Sequence, residues 1–231
     1  MSEPNVNAIP VNKSRARVRT VTSLAMLTAM TYVVMYLSKI LPQLYGFLQL
    51  EVKSTVIAIG GFVFGPLAAA GISVIVALIE MVTVSDTGPI GCIMNCLAAC
   101  AFACPAALIY KRVHTKKGAV IGLGAGVVIT TAVMLLWNYF LVPIYQGIPR
   151  GEVAKMLPTI FLPFNLVKGG LNMGLTLVLY KPVVTALRKA RLIPESHTPE
   201  QGNAFSAGFW LFSLAVLATF VVLVLVLSEK I

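Results

Sequence analysis

The sequence predicts an all-α polytopic membrane protein, and three observations lead to this fold class. Of its 231 residues, 58% are hydrophobic and only 11% are charged. The mean hydropathy of +0.89 excludes an ordinary soluble domain. Apolar residues also form seven runs, most of them near the ~20 residues that a helix needs to cross a bilayer. Basic residues cluster between the runs, so the net charge of +10 indicates membrane orientation and not nucleic-acid binding.

The seven candidate spans follow one another along almost the whole chain. They lie at about residues 20–41, 50–65, 66–84, 89–110, 118–141, 158–180 and 205–228. The second span is short and merges with the third through Gly60-Gly61 and Gly65-Pro66. The boundary between these two spans is therefore the least defined of the set.

Three groups of four basic residues indicate which ends of the spans face the cytoplasm. They are Lys13, Arg15, Arg17 and Arg19; Lys111, Arg112, Lys116 and Lys117; and Lys181, Arg188, Lys189 and Arg191. With the N-terminus inside, the groups precede span one and follow spans four and six, as the positive-inside rule requires. Residues 1–19 are then a cytoplasmic basic segment. Span one is predicted to be uncleaved, because its apolar run is too long for a signal peptide.

The C-terminal part of the chain has a different character. A linker is predicted at residues 192–204, which contain Pro194, Pro199 and Gly202 and have no apolar periodicity. An extra transmembrane helix is predicted within residues 205–231. This seventh span is rich in Val and Leu and nearly featureless, which is typical of a lipid-facing anchor or a partner helix.

A polar stripe in the sixth span carries the main functional signal. At about 100° per helical residue, Asn165, Lys168 and Asn172 lie within roughly 60° of one another on one helix face. A Lys near the bilayer centre costs ~2.5 to 3.5 kcal/mol, so an intramembrane Lys indicates a ligand or an internal partner. The alternative is a structural Lys that pairs with another helix or reaches back to the interface.

Other intramembrane polar residues are predicted at a similar depth, in the outer half of the membrane. Glu80, Asn95 and Asn138 lie near the outer ends of spans three, four and five, level with Asn165 and Lys168. Because buried amides and charges need partners, these residues predict one shared polar cavity open to the outside.

Aromatic residues are expected at the level of this cavity. They are Tyr45, Phe47, Trp137, Tyr139, Phe140 and Phe164. Each of them could instead belong to an interfacial aromatic belt. Amides, one Lys and aromatic faces suit a planar ligand with hydrogen-bond donors and acceptors better than a simple ion.

Two patterns that could indicate a metal or a nucleotide do not support either. Cys92, Cys96, Cys100 and Cys104 repeat along ~18 Å of helix, too far apart to surround one zinc ion, and predict a ridge of small side chains. Residues 122–126 contain three glycines but begin a membrane helix, and no P-loop motif occurs. We therefore expect no metal site, no catalytic set and no cofactor.

Four motifs together resemble one family, the riboflavin-binding S components of energy-coupling factor (ECF) transporters. They are Gly60-Gly61-Phe62-Val63-Phe64-Gly65-Pro66-Leu67-Ala68, Pro105-Ala106-Ala107-Leu108-Ile109-Tyr110-Lys111-Arg112, Trp137-Asn138-Tyr139-Phe140 and Pro163-Phe164-Asn165-Leu166-Val167-Lys168-Gly169. The resemblance covers roughly residues 20–191. It rests on the order and spacing of the motifs in one chain.

The resemblance implies a six-helix, vitamin-binding membrane domain in a bacterial plasma membrane. Riboflavin would be the transported ligand, bound near the outer face by Asn95, Asn138, Asn165 and Lys168, with Tyr45 and Glu80 as further candidates and the loop 42–50 as a lid. The partners would be a transmembrane coupling subunit and two cytoplasmic ATPase subunits. Ala25 and Ala29 would form the small-residue surface that docks on the coupling subunit.

The chain departs from this family in its linker and seventh span, which would place the C-terminus outside.

Three other functions remain open from sequence. The first is an S component for a different vitamin or small heterocycle, since fold alone does not name a ligand. The second is an intramembrane enzyme with Glu80 as base and Lys168 as electrostatic partner, and the third is a self-sufficient channel or carrier.

Overall fold

The computed structural model describes residues 13–41, 43–45, 47–85, 87–190, 192–193 and 207–229. The elements, in chain order, are α1 (Lys13–Ser38), β1 (Gln43–Leu44), β2 (Leu48–Gln49), α2 (Lys53–Phe64), α3 (Pro66–Thr83), α4 (Gly88–Val113), α5 (Lys116–Gln146), α6 (Arg150–Met156), a π-helical turn (Leu157–Phe161), α7 (Leu162–Lys189) and α8 (Ala207–Glu229). The all-α polytopic fold predicted from sequence is confirmed.

Six helices in the described residues are long and apolar enough to cross a membrane. The second predicted span forms only the 12-residue helix α2, which at 1.5 Å per residue is ~18 Å long and shorter than a hydrocarbon core. Most of its residues are buried. Helix α2 is therefore an internal element, surrounded by α1, α3, α4 and α7.

Gly65 separates α2 from α3. Its φ of 96° and ψ of 173° lie in a region that favours glycine. Pro66 then occupies the first turn of α3, where its missing N–H costs no helical hydrogen bond. The sequence merges these two spans because both are apolar, and the Gly-Pro pair divides them.

Helices α4 and α5 form the most extensive helix pair of the fold. A Cβ built on Gly126 would lie 2.4 Å from the Phe102 carbonyl oxygen, so only glycine allows this approach. The glycine-rich stretch at residues 122–126 thus serves helix packing. Thr115 caps the start of α5 by accepting a hydrogen bond from the Gly118 N–H at 3.0 Å.

The sixth predicted span begins earlier than the hydropathy pattern indicated. Instead of residues 158–180, one continuous helical segment runs over Arg150–Lys189. Its first part, α6, is amphipathic and carries Glu152 and Lys155, so hydropathy alone does not reveal it. Pro158 and Pro163 lack the N–H that an α-helix uses, and the chain widens here into the π-helical turn.

A small antiparallel hairpin occupies the predicted first outer loop. It pairs Gln43 with Gln49 and Leu44 with Leu48. The Gln49 side-chain amide donates to the carbonyl oxygens of Ser38 and Leu41 at 3.0 and 3.2 Å, which fixes the hairpin to the end of α1.

The chain after α7 remains packed for a few residues. Ile193 is buried in the main core, and the carbonyl oxygens of Leu192 and Ile193 accept hydrogen bonds from Ser23 and Arg19 of α1. Residues 194–204 of the predicted linker lie outside the described residues. Helix α8 packs against α7 and exposes most of its remaining surface.

Candidate ligand-binding site

A cavity of about 260 Å³ lies among the hairpin, α3, α4, α5 and α7, close to the lower end of the range for small-molecule sites. Its polar lining residues are Lys39, Gln43, Gln49, Glu51, Ser54, Glu80, Ser85, Thr87, Asn95, Thr130, Asn138, Gln146, Asn165, Lys168 and Asn172, and its apolar ones are Phe47, Leu48, Met94, Ala98, Phe102, Met134, Phe164 and Gly169. The lining residues of α4 and α7 lie mostly in the first half of each helix, and those of α5 lie near or beyond its middle. The others come from the end of α3 and the segment after it, from the start of α2, and from the segment between α1 and α2. The cavity therefore lies at the end of the bundle opposite the basic ends of α4 and α7.

Five of the residues predicted from sequence meet in this lining. Glu80, Asn95, Asn138, Asn165 and Lys168 all border the cavity. Asn95 and Lys168 are half-buried, and the other three are almost fully buried. Periodicity and depth thus bring together residues from four helices, as one shared polar cavity requires.

Tyr45, the sixth candidate, takes a different place. It lies at the turn of the hairpin with a φ of 55° and is half-buried against a cluster that includes Leu44, Leu50 and Phe164. Among the described residues, the cavity lining includes its neighbours Phe47 and Leu48 but not Tyr45.

Three buried charges and the half-buried Lys168 form a continuous ion-pair network beside the cavity. Lys168 Nζ lies 3.2 Å from Glu51 Oε2, which also lies 3.2 Å from Lys53 Nζ. Lys53 Nζ in turn lies 2.5 Å from Glu80 Oε2. The two lysines and two glutamates balance one another, so the network adds no net charge to the cavity wall. Burial of such charges is tolerated when each has a partner.

Glu51 and Lys53 are the residues that sequence reasoning missed. Both side chains are almost fully buried, and both lie at the start of the short apolar run that became α2. Two charges at the start of a short apolar run were the available signal. Their partners are far along the chain, 117 residues away for Lys168 and Glu51, which a single sequence does not reveal.

Asn172, the third residue of the predicted polar stripe, has a structural role. Its Oδ1 accepts from the backbone N–H of Thr55 at 3.0 Å, and its Nδ2 donates to the carbonyl oxygens of Glu51 and Lys168 at 2.9 Å each. These bonds cap the start of α2, where several backbone groups lack helical partners. Asn172 thereby joins α2 to α7 beneath the cavity.

Other polar groups in the lining have no partner in the described protein. Asn95 and Asn138 make no side-chain hydrogen bond to another described residue, although Asn138 is only 6% exposed. The Thr130 hydroxyl is buried and also has no partner there. Asn165 uses one donor, from Nδ2 to the Phe161 carbonyl oxygen at 2.7 Å. Because buried polar groups are normally paired, these groups are available to a ligand.

Apolar and aromatic surfaces complete the cavity. Phe47 of the hairpin stands edge-on to Phe161, with ring centroids 6.2 Å apart. Lys168 Nζ lies 5.8 Å from the centroid of Phe164, a cation–π distance. The site can therefore offer a planar ligand both an aromatic wall and directed hydrogen bonds.

The remaining predicted features lie away from the cavity. Ala25 and Ala29 are exposed on α1, next to the exposed Val21 and Met26. In the cysteine row on α4, Cys104 packs against the core, with its Sγ 3.6 Å from the Pro66 carbonyl oxygen. Within the described residues, no group of three or more His, Cys, Asp or Glu side chains could hold a metal ion.

The bundle and its cavity define a polytopic membrane protein with an internal, largely polar cavity. Residues 19–180 match the family model of the substrate-specific component of ECF transporters. The chain therefore belongs to this family.

Individual relatives agree with this assignment. The chain is 24% identical over 188 residues to the riboflavin transporter FmnP of Bacillus subtilis (strain 168), covering 76% of this chain and 99% of the relative. It is 26% identical over 176 residues to the riboflavin transporter RibU of Streptococcus thermophilus (strain ATCC BAA-250 / LMG 18311), covering 72% and 83%. A solved structure of the S component of a bacterial ECF transporter matches with a TM-score of 0.63 and 25% identity, covering 74% of this chain and 99% of that one.

Proposed function

We propose that this chain is the riboflavin-binding membrane subunit of an ECF-type uptake transporter. It captures the flavin in a cavity that faces outward and delivers it inward together with a coupling subunit and two ATPase subunits. The observation that carries the proposal is a cavity lined by Lys168, by aromatic side chains and by Asn95 and Asn138, two amides that make no hydrogen bond to another described residue. Two relatives named as riboflavin transporters support the choice of ligand.

The chemistry of the cavity suits the isoalloxazine ring of a flavin. This ring is planar, has carbonyl and ring-nitrogen acceptors along one edge and has no charge at neutral pH. Amides can both donate to and accept from that edge, and Lys168 can donate to a carbonyl. Since Lys53, Lys168, Glu51 and Glu80 balance one another, a neutral ligand enters without leaving a buried charge unpaired.

The proposed orientation follows from the distribution of basic residues. Lys111, Arg112 and Lys189 lie at helix ends opposite the cavity, and the positive-inside rule places those ends in the cytoplasm. The cavity then faces outward and the N-terminus is cytoplasmic. Ala25 and Ala29, exposed on α1, are proposed to dock on the coupling subunit, because small residues allow close helix contact.

A thermal-shift screen with a panel of water-soluble vitamins tests the choice of ligand. A ligand that binds only the folded state raises the apparent melting temperature, and the stabilisation grows with the logarithm of the ratio of ligand concentration to Kd. We expect riboflavin to give the largest shift at equal concentration. A larger shift with another vitamin would support an S component of different specificity and contradict the flavin assignment.

A further inference from the structure

The part of the chain that matches the family model ends at residue 180, so helix α8 lies outside it. Helix α8 nevertheless packs on α7 in a defined register. A Cβ built on Gly170 would lie 2.1 Å from Phe220 Cζ, and one on Gly174 would lie 2.9 Å from Leu217 Cα. The Phe220 ring thus packs directly on Gly170, and the α8 backbone at Leu217 packs directly on Gly174. The two glycines fix the register of α8 on α7.

This register places the second half of α8 beside the hairpin. Val224 is buried in one cluster with Leu44 and Leu50, and Leu227 packs against the same cluster. Helix α8 is also in direct contact with β1. The inner wall of the hairpin, meanwhile, lines the cavity through Phe47 and Leu48. A continuous path of packed side chains therefore leads from the glycines of α7, through α8, to the wall of the binding site.

The hairpin needs such support, because each of its strands has only two residues and a two-stranded hairpin is marginally stable alone. Elements with few contacts open locally at low free-energy cost. The Gln49 amide holds the hairpin to the end of α1 through hydrogen bonds. The cluster that contains Val224 holds it to α8. Loss of the packing between α8 and the hairpin should therefore favour an open hairpin.

We propose that α8 is a strap that holds the hairpin closed over the cavity and so slows release of the bound ligand. Val224 and Leu227 are positioning residues in this role, because they pack on Leu44 and act on the ligand only through the hairpin, whose Phe47 and Leu48 line the cavity. The inference rests on the proposed function for the identity of the ligand. Its mechanical part, which concerns α8 and the hairpin, stands on the packing alone.

The test compares two double variants of the full chain. Val224→Ala with Leu227→Ala removes the contact with the hairpin. Val222→Ala with Leu225→Ala removes the same atoms from the exposed side of α8, where these residues are 56% and 57% exposed. Protein loaded with radiolabelled riboflavin is chased with unlabelled riboflavin. We expect about tenfold faster release from the first variant, which corresponds to ~1.4 kcal/mol, and a change below about twofold from the second.

Association rate and melting temperature separate the strap from a general loss of structure. We expect both to change little in either variant. Equal release rates in the two variants would overturn the proposal, as would a release that speeds up only in step with a lower melting temperature.

Hydrogen exchange of ligand-free protein provides a readout that needs no flavin. The amides of residues 43–49 should exchange faster in the Val224→Ala, Leu227→Ala variant than in its matched control. If the unaltered chain failed to retain riboflavin, the flavin assignment would be wrong. Hydrogen exchange would still test whether α8 holds the hairpin closed. Unchanged exchange in the hairpin would then overturn it.

Discussion

Glu51 Oε2 lies 3.2 Å from Lys168 Nζ, and this ion pair joins the segment after the hairpin to the first half of α7. The Glu51 carbonyl oxygen also accepts a hydrogen bond from Asn172, one turn further along α7. Cavity wall, hairpin and α7 are therefore connected through one residue. Lys168 is thus linked through Glu51 to the base of the hairpin.

Replacement of Lys168 by alanine tests its place in the site. We expect Lys168→Ala to weaken riboflavin binding at least tenfold, because a donor to the ligand is lost and charge-assisted hydrogen bonds are the stronger ones. Lys168→Ala leaves Glu51 and Glu80 with Lys53 as their shared partner, so the melting temperature should fall, and affinity is measured at a temperature at which the variant is still folded in detergent. Lys155→Ala, on the exposed part of α6, is the control. Fluorescence titration measures both, and unchanged affinity in Lys168→Ala would remove this residue from the pocket.

The pair of Lys53 and Glu80 allows a test of the buried ion network. Glu80→Leu leaves two lysines with one glutamate, and Lys53→Met leaves two glutamates with one lysine. Since an uncompensated buried charge costs about 3–5 kcal/mol, each single variant should lower the melting temperature of the ligand-free protein markedly. The double variant leaves Glu51 and Lys168 balanced and should recover most of the loss. If the decreases in melting temperature of the two single variants simply added in the double variant, charge imbalance in the network would not be their cause.

Two buried asparagines should respond in opposite ways to the same substitution. Asn138 makes no hydrogen bond to another described residue, so Asn138→Leu should preserve the melting temperature. It should weaken riboflavin binding about fivefold or more, because a polar group of the ligand is then left without a partner, at a cost of about 1–3 kcal/mol. Asn172→Leu breaks the bonds that cap α2 and should lower the melting temperature instead. Parallel thermal and binding measurements check this. A large loss of stability in Asn138→Leu would contradict its assignment to the ligand.

The exposed surface of α1 gives a prediction about transport. Ala25→Trp or Ala29→Trp should abolish riboflavin uptake in cells and leave binding by the purified subunit intact, because only docking on the coupling subunit is blocked. Ala132→Trp, at an exposed position of α5, is a matched control that should transport normally. Uptake that survives in both α1 variants would place the docking surface elsewhere.

The sequence predicted the parts of this site that follow helical periodicity. The 3.6-residue repeat places Asn165 and Lys168 on one helix face. Because polar side chains are costly inside a bilayer, this face was recognised as a candidate site. Asn138 and Glu80 followed from depth alone. Glu51 and Lys53 were not recognised, because their roles depend on pairings between distant segments.

Other features depended on tertiary contacts that a single sequence does not show. Gly170 and Gly174 allow a helix to approach α7 closely, but a single sequence does not reveal that this helix is α8. The loop 42–50 became a hairpin because Gln49 and the leucine cluster hold it. The early start of the sixth span at Arg150 was hidden by the charged residues of α6.

The most direct test of the central claim is the absorption spectrum of the protein purified in mild detergent from cells grown with riboflavin. Titration of ligand-free protein, followed by flavin fluorescence, completes the measurement and needs no partner subunit. The proposed function predicts a bound yellow chromophore, quenched fluorescence and one flavin per chain. A colourless protein that leaves flavin fluorescence unchanged would contradict it.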